Sequence, residues 1–195
     1  MSARVAIVDS GIYAEHPHVN GITGGVAIVG ADLIDRLGHG TAVAAVIREK
    51  APDAEIFAVK IFDRKLATDA QTLARAIEWC GANGIEWINL SLGTTNTEHA
   101  ELLQRAVDDA VAGGARIVAA HGWLPGSLRG TIPVVLEWEC PREECRTREL
   151  PDGRIGYYAS GYPRPIPGVS PEHNLKGISF AVANVTGWLA ASFKA

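Results

Sequence analysis

The stretch RVAIVDSGI, residues 4–12, decides the fold class, because an apolar segment of strand length runs straight into a carboxylate and a glycine. Residues 5–8 are apolar without interruption, which is typical of a strand in a parallel sheet covered on both faces. Asp9 then lies where the strand ends. Binding and catalytic sites of such sheets form at the carboxyl ends of the strands. Asp9 is therefore a candidate functional residue, and also a candidate cap for the following turn.

Further segments of strand length alternate with helical segments along the chain. The strand-like segments are 55–62, 87–92, 115–120 and 132–138, and the helical ones are 68–83 and 98–112. In the first helical segment, Thr68 and Gln71 have the form of a capping box. This alternation predicts βαβ units with right-handed crossovers. We expect one α/β domain over residues 1–195, with a mostly parallel sheet covered by helices on both faces.

Composition excludes several functional classes. The chain has 195 residues, of which 47% are hydrophobic, and a formal charge of −4, with no basic surface that would suggest nucleic acid. No stretch approaches the roughly 18 apolar residues that span a bilayer, and the N-terminus does not resemble a signal peptide. Three cysteines favour a reducing compartment. We expect a cytoplasmic protein with no nucleic-acid or membrane partner.

The segment 139–176 is rich in proline and mixed charge, and its PDGR sequence predicts a β-hairpin. Its first part, 139–165, is an atypical charged insertion that is either a wall of the substrate groove or a surface for a partner protein. Cys140 and Cys145 are spaced as in some zinc sites, but no second pair of ligands lies nearby. We predict no metal and no other cofactor.

Two more motifs carry chemistry. His39 lies between two glycines in GHGTAVAAVI, residues 38–47, and Ser179 lies in NLKGISFAVANVTG, residues 174–187. Taken alone, the histidine is explained equally well as a turn residue, and the serine as a helix cap. The order Asp9, His39, Ser179 in one α/β chain is, however, the order of the catalytic residues in subtilisin.

On these motifs the chain resembles the subtilisin-like serine proteases. DSG, GHGT and GISFA stand where that family carries its Asp, His and Ser motifs, and the similarity extends over about 4–122 and 165–190. The resemblance implies a subtilisin-like three-layer fold, truncated at the C-terminus. It also implies that His39 takes the proton of the Ser179 hydroxyl, while Asp9 orients and stabilises the imidazole.

The resemblance also implies how a peptide substrate binds. Ser91, Leu92 and Gly93 match the segment whose backbone pairs with an extended peptide as an added strand. Ala119 and Ala120 would face a pocket for a substrate side chain. Glu137 and Glu139 are either carboxylates at the base of that pocket, attracting Lys or Arg, or ordinary charges on an edge strand. The expected partner is a peptide or protein substrate.

The chain departs from the family pattern in HGW, residues 121–123. Gly122 keeps its place beside the substrate, but Trp123 stands where the family has an asparagine that donates to the oxyanion. Such a donor is worth about 100- to 1000-fold in rate. The indole N–H of Trp123 and the ring of His121 are candidate replacements or packing residues. The backbone N–H of Ser179 is the other expected donor.

Three functional hypotheses follow. The first is a serine endopeptidase of narrow specificity, for example one that trims a leader from a precursor peptide. We expect it to be a minimal intracellular form, because no prodomain precedes Asp9, the link 47–55 leaves no room for a calcium loop, and the chain ends soon after Ser179. The second is a pseudoprotease that binds a peptide or partner protein without cutting it. The third is an esterase or peptide ligase that uses the same three residues.

Overall fold

The computed structural model describes residues 2–192, so Met1 and residues 193–195 of the expected domain lie outside the described residues. Its sheet consists of eight strands: β1 (Arg4–Asp9), β2 (Gly24–Ala27), β3 (Glu55–Lys60), β4 (Trp87–Leu90), β5 (Arg116–Ala120), β6 (Thr131–Leu136), β7 (Arg146–Glu149) and β8 (Ile155–Ala159). The helices are α1 (His39–Lys50), α2 (Ala70–Ala82), α3 (Ala100–Ala112) and α4 (Ile178–Ser192). Short 3₁₀ turns lie at Thr97–His99 and Pro171–His173.

The sheet has the order β2-β3-β1-β4-β5-β6-β8-β7. Neighbouring strands are parallel except β7 and β8, which pair antiparallel. The mostly parallel sheet expected from the sequence is thus confirmed. The hairpin expected around residues 151–154 is present as β7 and β8, and β8 pairs with β6, so the charged segment 139–165 extends the sheet.

Helices cover both faces of the sheet, as predicted. The alternation of β1 shows the two layers directly: Val5 and Ile7 pack in one core cluster, and Ala6 and Val8 pack in the other. The first cluster contains apolar residues of α1 and α4, and the second contains those of α2 and α3. Because strand residues on both faces are buried, the strands are apolar almost throughout.

Local details differ from the sequence-based expectations. The predicted capping box is wrong, because the cap of α2 is Asp69, whose side chain accepts a hydrogen bond from the Thr72 N–H at 2.8 Å. Strands β3 and β4, predicted over residues 55–62 and 87–92, end two residues earlier than expected, at Lys60 and Leu90. Strand β2 was not predicted, since its sequence GGVA has too few apolar residues to show a pattern. Within residues 2–192, none of the helices combines the length and apolar character that crossing a bilayer requires.

Candidate active site

The predicted motifs converge at the carboxyl edge of the sheet. Asp9 ends β1, Ser91 follows β4, His39 is the first residue of α1, and Ser179 is the second residue of α4. His39, Ser179, the segment Ser91–Gly93 and Trp123 line one cavity of about 350 Å³, called here the first cavity. Its remaining wall includes Phe62, Leu66 and Thr94. Asp9 lies behind His39, where its side chain is 1% exposed.

Asp9 and His39 form a close pair. The Nδ1 atom of His39 lies 2.8 Å from Oδ1 and 2.9 Å from Oδ2 of Asp9. The backbone N–H of Ser10 donates to the same carboxylate at 2.7 Å. A carboxylate acceptor at Nδ1 favours the tautomer that carries its proton there, which leaves Nε2 able to accept a proton.

A second carboxylate, which we did not predict from the sequence, organises the loop before His39. Asp35 accepts hydrogen bonds from the backbone N–H groups of Leu37, Gly38 and Thr41, and from the Thr41 hydroxyl at 2.7 Å. The hydroxyl of Ser10 lies 2.8 Å from Asp35 and 3.1 Å from Asp9. Ser10 also accepts a hydrogen bond from the Gly40 N–H at 3.0 Å. Asp35 therefore connects the loop that carries His39 to the strand end that carries Asp9.

These surroundings shift the pKa of the imidazole. Burial lowers the pKa of His39, but the hydrogen bond and the negative charge of Asp9, together with the charge of Asp35, outweigh burial and hold that pKa above its usual value. Burial raises the pKa of the Asp35 carboxyl. The hydrogen bonds that Asp35 accepts from Thr41, Leu37 and Ser10 outweigh burial, so the pKa of Asp35 is lower than usual. Asp35 is thus ionised at neutral pH, and its charge favours the imidazolium.

The glycines on either side of His39 are required by the backbone. Gly38 has φ of 80°, a left-handed conformation that positions the start of α1. A Cβ atom on Gly40 would lie 2.2 Å from the backbone oxygen of Gly11. Any larger residue at position 40 would push α1 away from the end of β1 and separate His39 from Asp9.

Ser179 is held differently. Its hydroxyl donates to the backbone oxygen of Ser91 at 3.0 Å, and within residues 2–192 it makes no hydrogen bond with His39. In return, the hydroxyl of Ser91 donates to the backbone oxygen of Ser179 at 3.2 Å and accepts from the Asn89 amide at 2.8 Å. Asn89 in turn accepts from Thr186 of α4 at 2.9 Å. A chain of hydrogen bonds therefore joins α4 to the segment Ser91–Gly93.

Trp123 lines the first cavity together with Ser179. Its side chain is 41% exposed, and it packs against Gly93, where an added Cβ would lie 2.9 Å from the Cβ of Trp123. Thr94 and Leu124 pair through two backbone hydrogen bonds of 2.9 and 2.8 Å. This pairing fixes the Trp123 loop beside the segment Ser91–Gly93.

Other predicted residues lie elsewhere. Ala119, Ala120 and Gly122 do not line the first cavity: Ala119 and Ala120 are buried in β5, and Gly122 is exposed in the following turn. Their expected roles beside the substrate stay predictions. Glu137 is ion-paired with Arg146 and Arg148.

The remaining two residues from this region lie outside the first cavity as well. Glu139 is exposed. His121 does not line the cavity, and its Nδ1 is buried without a hydrogen-bond partner among the described residues.

Sequence comparison identifies relatives among known proteases. The family model described as "Subtilase family" matches residues 2–124. Subtilisin Savinase of Lederbergia lenta is 31% identical over 195 residues, which cover 94% of this chain and 70% of the relative. The minor extracellular protease Epr of Bacillus subtilis (strain 168) is 38% identical over 131 residues, which cover 61% of this chain and 20% of Epr. The chain thus spans only a fifth of the length of Epr.

Comparison with solved structures also identifies proteases. The prenylagaramide maturation protease PagA aligns with a TM-score of 0.72 and 25% identity, covering 97% of this chain and 74% of PagA. The nisin leader peptidase NisP from Lactococcus lactis aligns with a TM-score of 0.76 and 20% identity, covering 97% of this chain and 77% of NisP. The likeness to NisP shows that the fold is shared.

Proposed function

The chain belongs to the subtilase family of serine proteases, and from this premise we propose that it is a serine endopeptidase whose catalytic residues are Asp9, His39 and Ser179. The observation that carries the proposal is the 2.8 Å contact between Asp9 and His39, with His39 and Ser179 bordering one cavity. A serine hydroxyl needs such a base to become a nucleophile at neutral pH.

The proposed reaction begins with rotation of the Ser179 hydroxyl from Ser91 towards His39, a side-chain motion that is fast compared with turnover. Oγ of Ser179 attacks the substrate carbonyl carbon while Nε2 of His39 takes the hydroxyl proton. His39 then gives that proton to the leaving amine, the C–N bond breaks, and an acyl-enzyme remains. Water, deprotonated by His39, attacks the ester, and Ser179 recovers its proton as the acid product leaves.

Two elements support the binding of peptide and oxyanion. Leu92 and Gly93 make no backbone hydrogen bond within the described residues, so their N–H and C=O groups are available to an extended peptide. Ser179 lies in the first turn of α4, where backbone N–H groups have no partner within the helix. Its N–H is our proposed oxyanion donor, with the indole N–H of Trp123 as the second.

We further propose a narrow substrate range, namely the maturation of a precursor peptide in the cytoplasm. The similarity to PagA, which is named as a maturation protease, supports this step. The three unpaired cysteines fit a reducing compartment. Digestion of a proteome-derived peptide library should give few cleavage sites with a common sequence, whereas cleavage at many unrelated sites would contradict the narrow range.

Labelling with a fluorophosphonate probe tests the catalytic proposal directly. We expect the native protein to be labelled, peptide mass spectrometry to find the label on Ser179, and Ser179→Ala to remain unlabelled. Absence of labelling, while a known serine protease reacts in parallel, would contradict the proposal.

A second candidate function is a pseudoprotease that binds a peptide in the same cavity. Two observations favour it: Trp123 replaces the expected asparagine, and the Ser179 hydroxyl is bonded to Ser91 instead of His39. Saturable peptide binding without fluorophosphonate labelling or cleavage would select this function.

A further inference from the structure

The β7–β8 hairpin reaches the loop that carries Trp123. The turn of the hairpin, residues 150–154, is closed by a hydrogen bond from the Leu150 N–H to the Arg154 backbone oxygen at 2.8 Å. Because β8 pairs with β6, this turn lies beside the loop between β5 and β6, of which residues 123–128 are called here the Trp123 loop. The side chain of Arg154 extends from the turn to the Trp123 loop.

One nitrogen of Arg154 is surrounded by oxygen atoms. Its Nη1 atom lies 3.2 Å from the Gly126 backbone oxygen, 3.1 Å from the Leu128 backbone oxygen and 3.4 Å from Oγ1 of Thr131. Both backbone oxygens belong to the Trp123 loop, and Thr131 is the first residue of β6. The guanidinium therefore joins the hairpin to the loop and to the start of the neighbouring strand.

The Trp123 loop requires a hydrogen-bond donor from outside. The backbone oxygens of Gly126 and Leu128 lie 3.0 and 2.8 Å from the Thr131 hydroxyl, but a hydroxyl has a single proton and donates to one of them at a time. Thr131 is 7% exposed and Gly126 is buried, so water has little access to these oxygens. A buried carbonyl without a donor lowers stability. The two N–H bonds of Nη1 supply the missing donors.

Asp152 sets the direction of the guanidinium. Its Oδ2 atom accepts a hydrogen bond from Nε of Arg154 at 2.9 Å and lies 2.8 Å from Nη2. This contact on two nitrogens fixes the plane of the guanidinium and leaves Nη1 for the Trp123 loop. The hydrogen bonds and the positive charge of Arg154 hold the pKa of Asp152 below its usual value, so both groups are charged at neutral pH.

The Trp123 loop is tight enough to transmit this support to Trp123. The Ser127 N–H donates to the Trp123 backbone oxygen at 2.8 Å. Gly126 packs directly on the end of β5, since an added Cβ atom would lie 2.0 Å from the Ala120 backbone oxygen. A shift of the backbone at Gly126 would therefore also move Trp123.

The position of Trp123 depends on its backbone more than on its side chain. The side chain is 41% exposed, so packing fixes only part of the ring. On one side the backbone is held by the pairing of Leu124 with Thr94, and on the other side by the turn that Arg154 fixes. The indole N–H is the proposed second oxyanion donor, and such a group must be held within about 0.5 Å of its productive position.

We propose that Arg154, oriented by Asp152, is a positioning residue that fixes the Trp123 loop and thereby holds Trp123 in the first cavity. This inference rests on the proposed endopeptidase function. Arg154 does not itself line the first cavity, so it acts through Trp123. The charged segment 139–165 thus contributes to catalysis, because its hairpin supplies the donor that the Trp123 loop lacks.

A double-mutant cycle with Trp123 tests the proposal. We expect Arg154→Ala to lower kcat and the rate of fluorophosphonate labelling by about 10- to 100-fold, since misplacement of a catalytic group by about 1 Å has an effect of this size. KM should change by less than about threefold, because an oxyanion donor acts in the transition state. In a Trp123→Ala background, Arg154→Ala should lower both rates by less than about twofold. Equal losses in the two backgrounds would overturn the proposal.

Two further variants separate positioning from the general stability of the hairpin. Arg154→Lys keeps the positive charge but loses the planar fork, so its rates should fall as in Arg154→Ala. Arg148→Ala is the matched control, because Arg148 lies in the same hairpin and is ion-paired with Glu137 at 2.6 Å. Among the described residues, Arg148 makes no hydrogen bond to the Trp123 loop, and Arg148→Ala should keep the native rates. Losses of equal size in Arg148→Ala and Arg154→Ala would overturn the proposal.

Chemical rescue provides an independent measurement. Guanidinium ion at low millimolar concentration should raise the labelling rate of Arg154→Ala several-fold by donating to the same oxygens, whereas sodium chloride of equal ionic strength should not. The double variant Arg154→Ala/Trp123→Ala should show no such increase. An increase of equal size in both variants would contradict an action through Trp123.

Failure of this inference is distinguishable from failure of the proposed function. If the native protein is labelled at Ser179 and Arg154→Ala is labelled at the same rate, the role of Arg154 is overturned and the endopeptidase proposal stands. If the native protein is neither labelled nor able to cleave peptides, both are overturned.

Discussion

The two sides of the first cavity differ in how they are held. On one side, Asp9 and His39 are joined at 2.8 Å, Ser10 hydrogen-bonds to Asp9, and Asp35 hydrogen-bonds to Ser10 and to the backbone on either side of His39. On the other side, the Ser179 hydroxyl is bonded to the backbone of Ser91, and Trp123 is a half-exposed ring. In the proposed mechanism the base is therefore preorganised, whereas the nucleophile must rotate and Trp123 stands where the family has an asparagine amide. Catalytic weakness, if present, should originate on the serine side.

The largest expected effect comes from the preorganised side. Asp9→Asn replaces the carboxylate that fixes the His39 tautomer, and such a change lowers turnover by about 10⁴-fold in the corresponding triad of another serine protease. The rate of fluorophosphonate labelling should fall by a similar factor, with Ser179→Ala as the zero-activity reference. An unchanged labelling rate would show that His39 does not act as the base.

The next effect concerns the serine side. Trp123→Asn restores an amide at the position where an oxyanion donor is expected, and it should raise kcat by up to about 100-fold. Trp123→Phe keeps an aromatic ring but removes the N–H, and it separates packing from donation. If Trp123→Phe lowers kcat about 100-fold and Trp123→Asn does not raise it, the indole N–H is itself the oxyanion donor, and no donor is missing on the side of Ser179.

Substitution of Asp35 should have a smaller effect, which is a shift in the pH dependence of kcat/KM. Only neutral His39 accepts a proton, and its pKa is held above the usual value in part by the charge of Asp35. Asp35→Asn removes that charge and lowers the pKa, so the acidic limb of kcat/KM should move to lower pH. Loosening of the α1 loop should also reduce kcat/KM by about tenfold.

The control for Asp35 is Asp32→Asn, which makes the same charge change in the same loop. Asp32 pairs with Arg36 and makes no contact with Ser10 or Thr41. An acidic limb that shifts equally in both variants would show a general charge effect, and would contradict a specific role for Asp35.

The sequence predicted correctly those features that depend on a short local pattern or on a recognisable motif. The strand from Arg4 to Asp9 was predicted with the correct bounds, because an uninterrupted apolar run followed by Asp-Ser-Gly indicates a buried strand that ends at the aspartate. His39, Ser179, Ser91–Gly93 and Trp123 were all predicted as site residues, and they line one cavity. These residues were identified through the resemblance to the subtilisin-like proteases, and the rule that sites lie at the carboxyl ends of parallel strands pointed to the same edge of the sheet.

Other features depend on contacts that no short pattern shows. Asp35 accepts hydrogen bonds from Leu37 and Gly38, in a turn that the sequence DRLGHG (residues 35–40) suggests, but its bond to Ser10 joins residues 25 positions apart. A cavity of about 540 Å³ along α1 is formed by three segments that are distant in the sequence, residues 13–18, 35–45 and 163–175. The expected pocket walls Ala119 and Ala120 are buried in the core because β5 lies between both helical layers.

The smallest expected difference is one of stability, and it compares matching serines on the two sides. The Ser10 hydroxyl lies between two carboxylates and also accepts from Gly40, so Ser10→Ala removes bonds to charged groups in a fully buried place. The Ser91 hydroxyl has two neutral partners, Asn89 and the Ser179 backbone. Bonds to charged groups contribute about 1.5–3 kcal/mol and neutral ones about 1 kcal/mol. Denaturant unfolding should therefore show a larger loss for Ser10→Ala than for Ser91→Ala, and equal losses would mean that the two sides are held equally firmly.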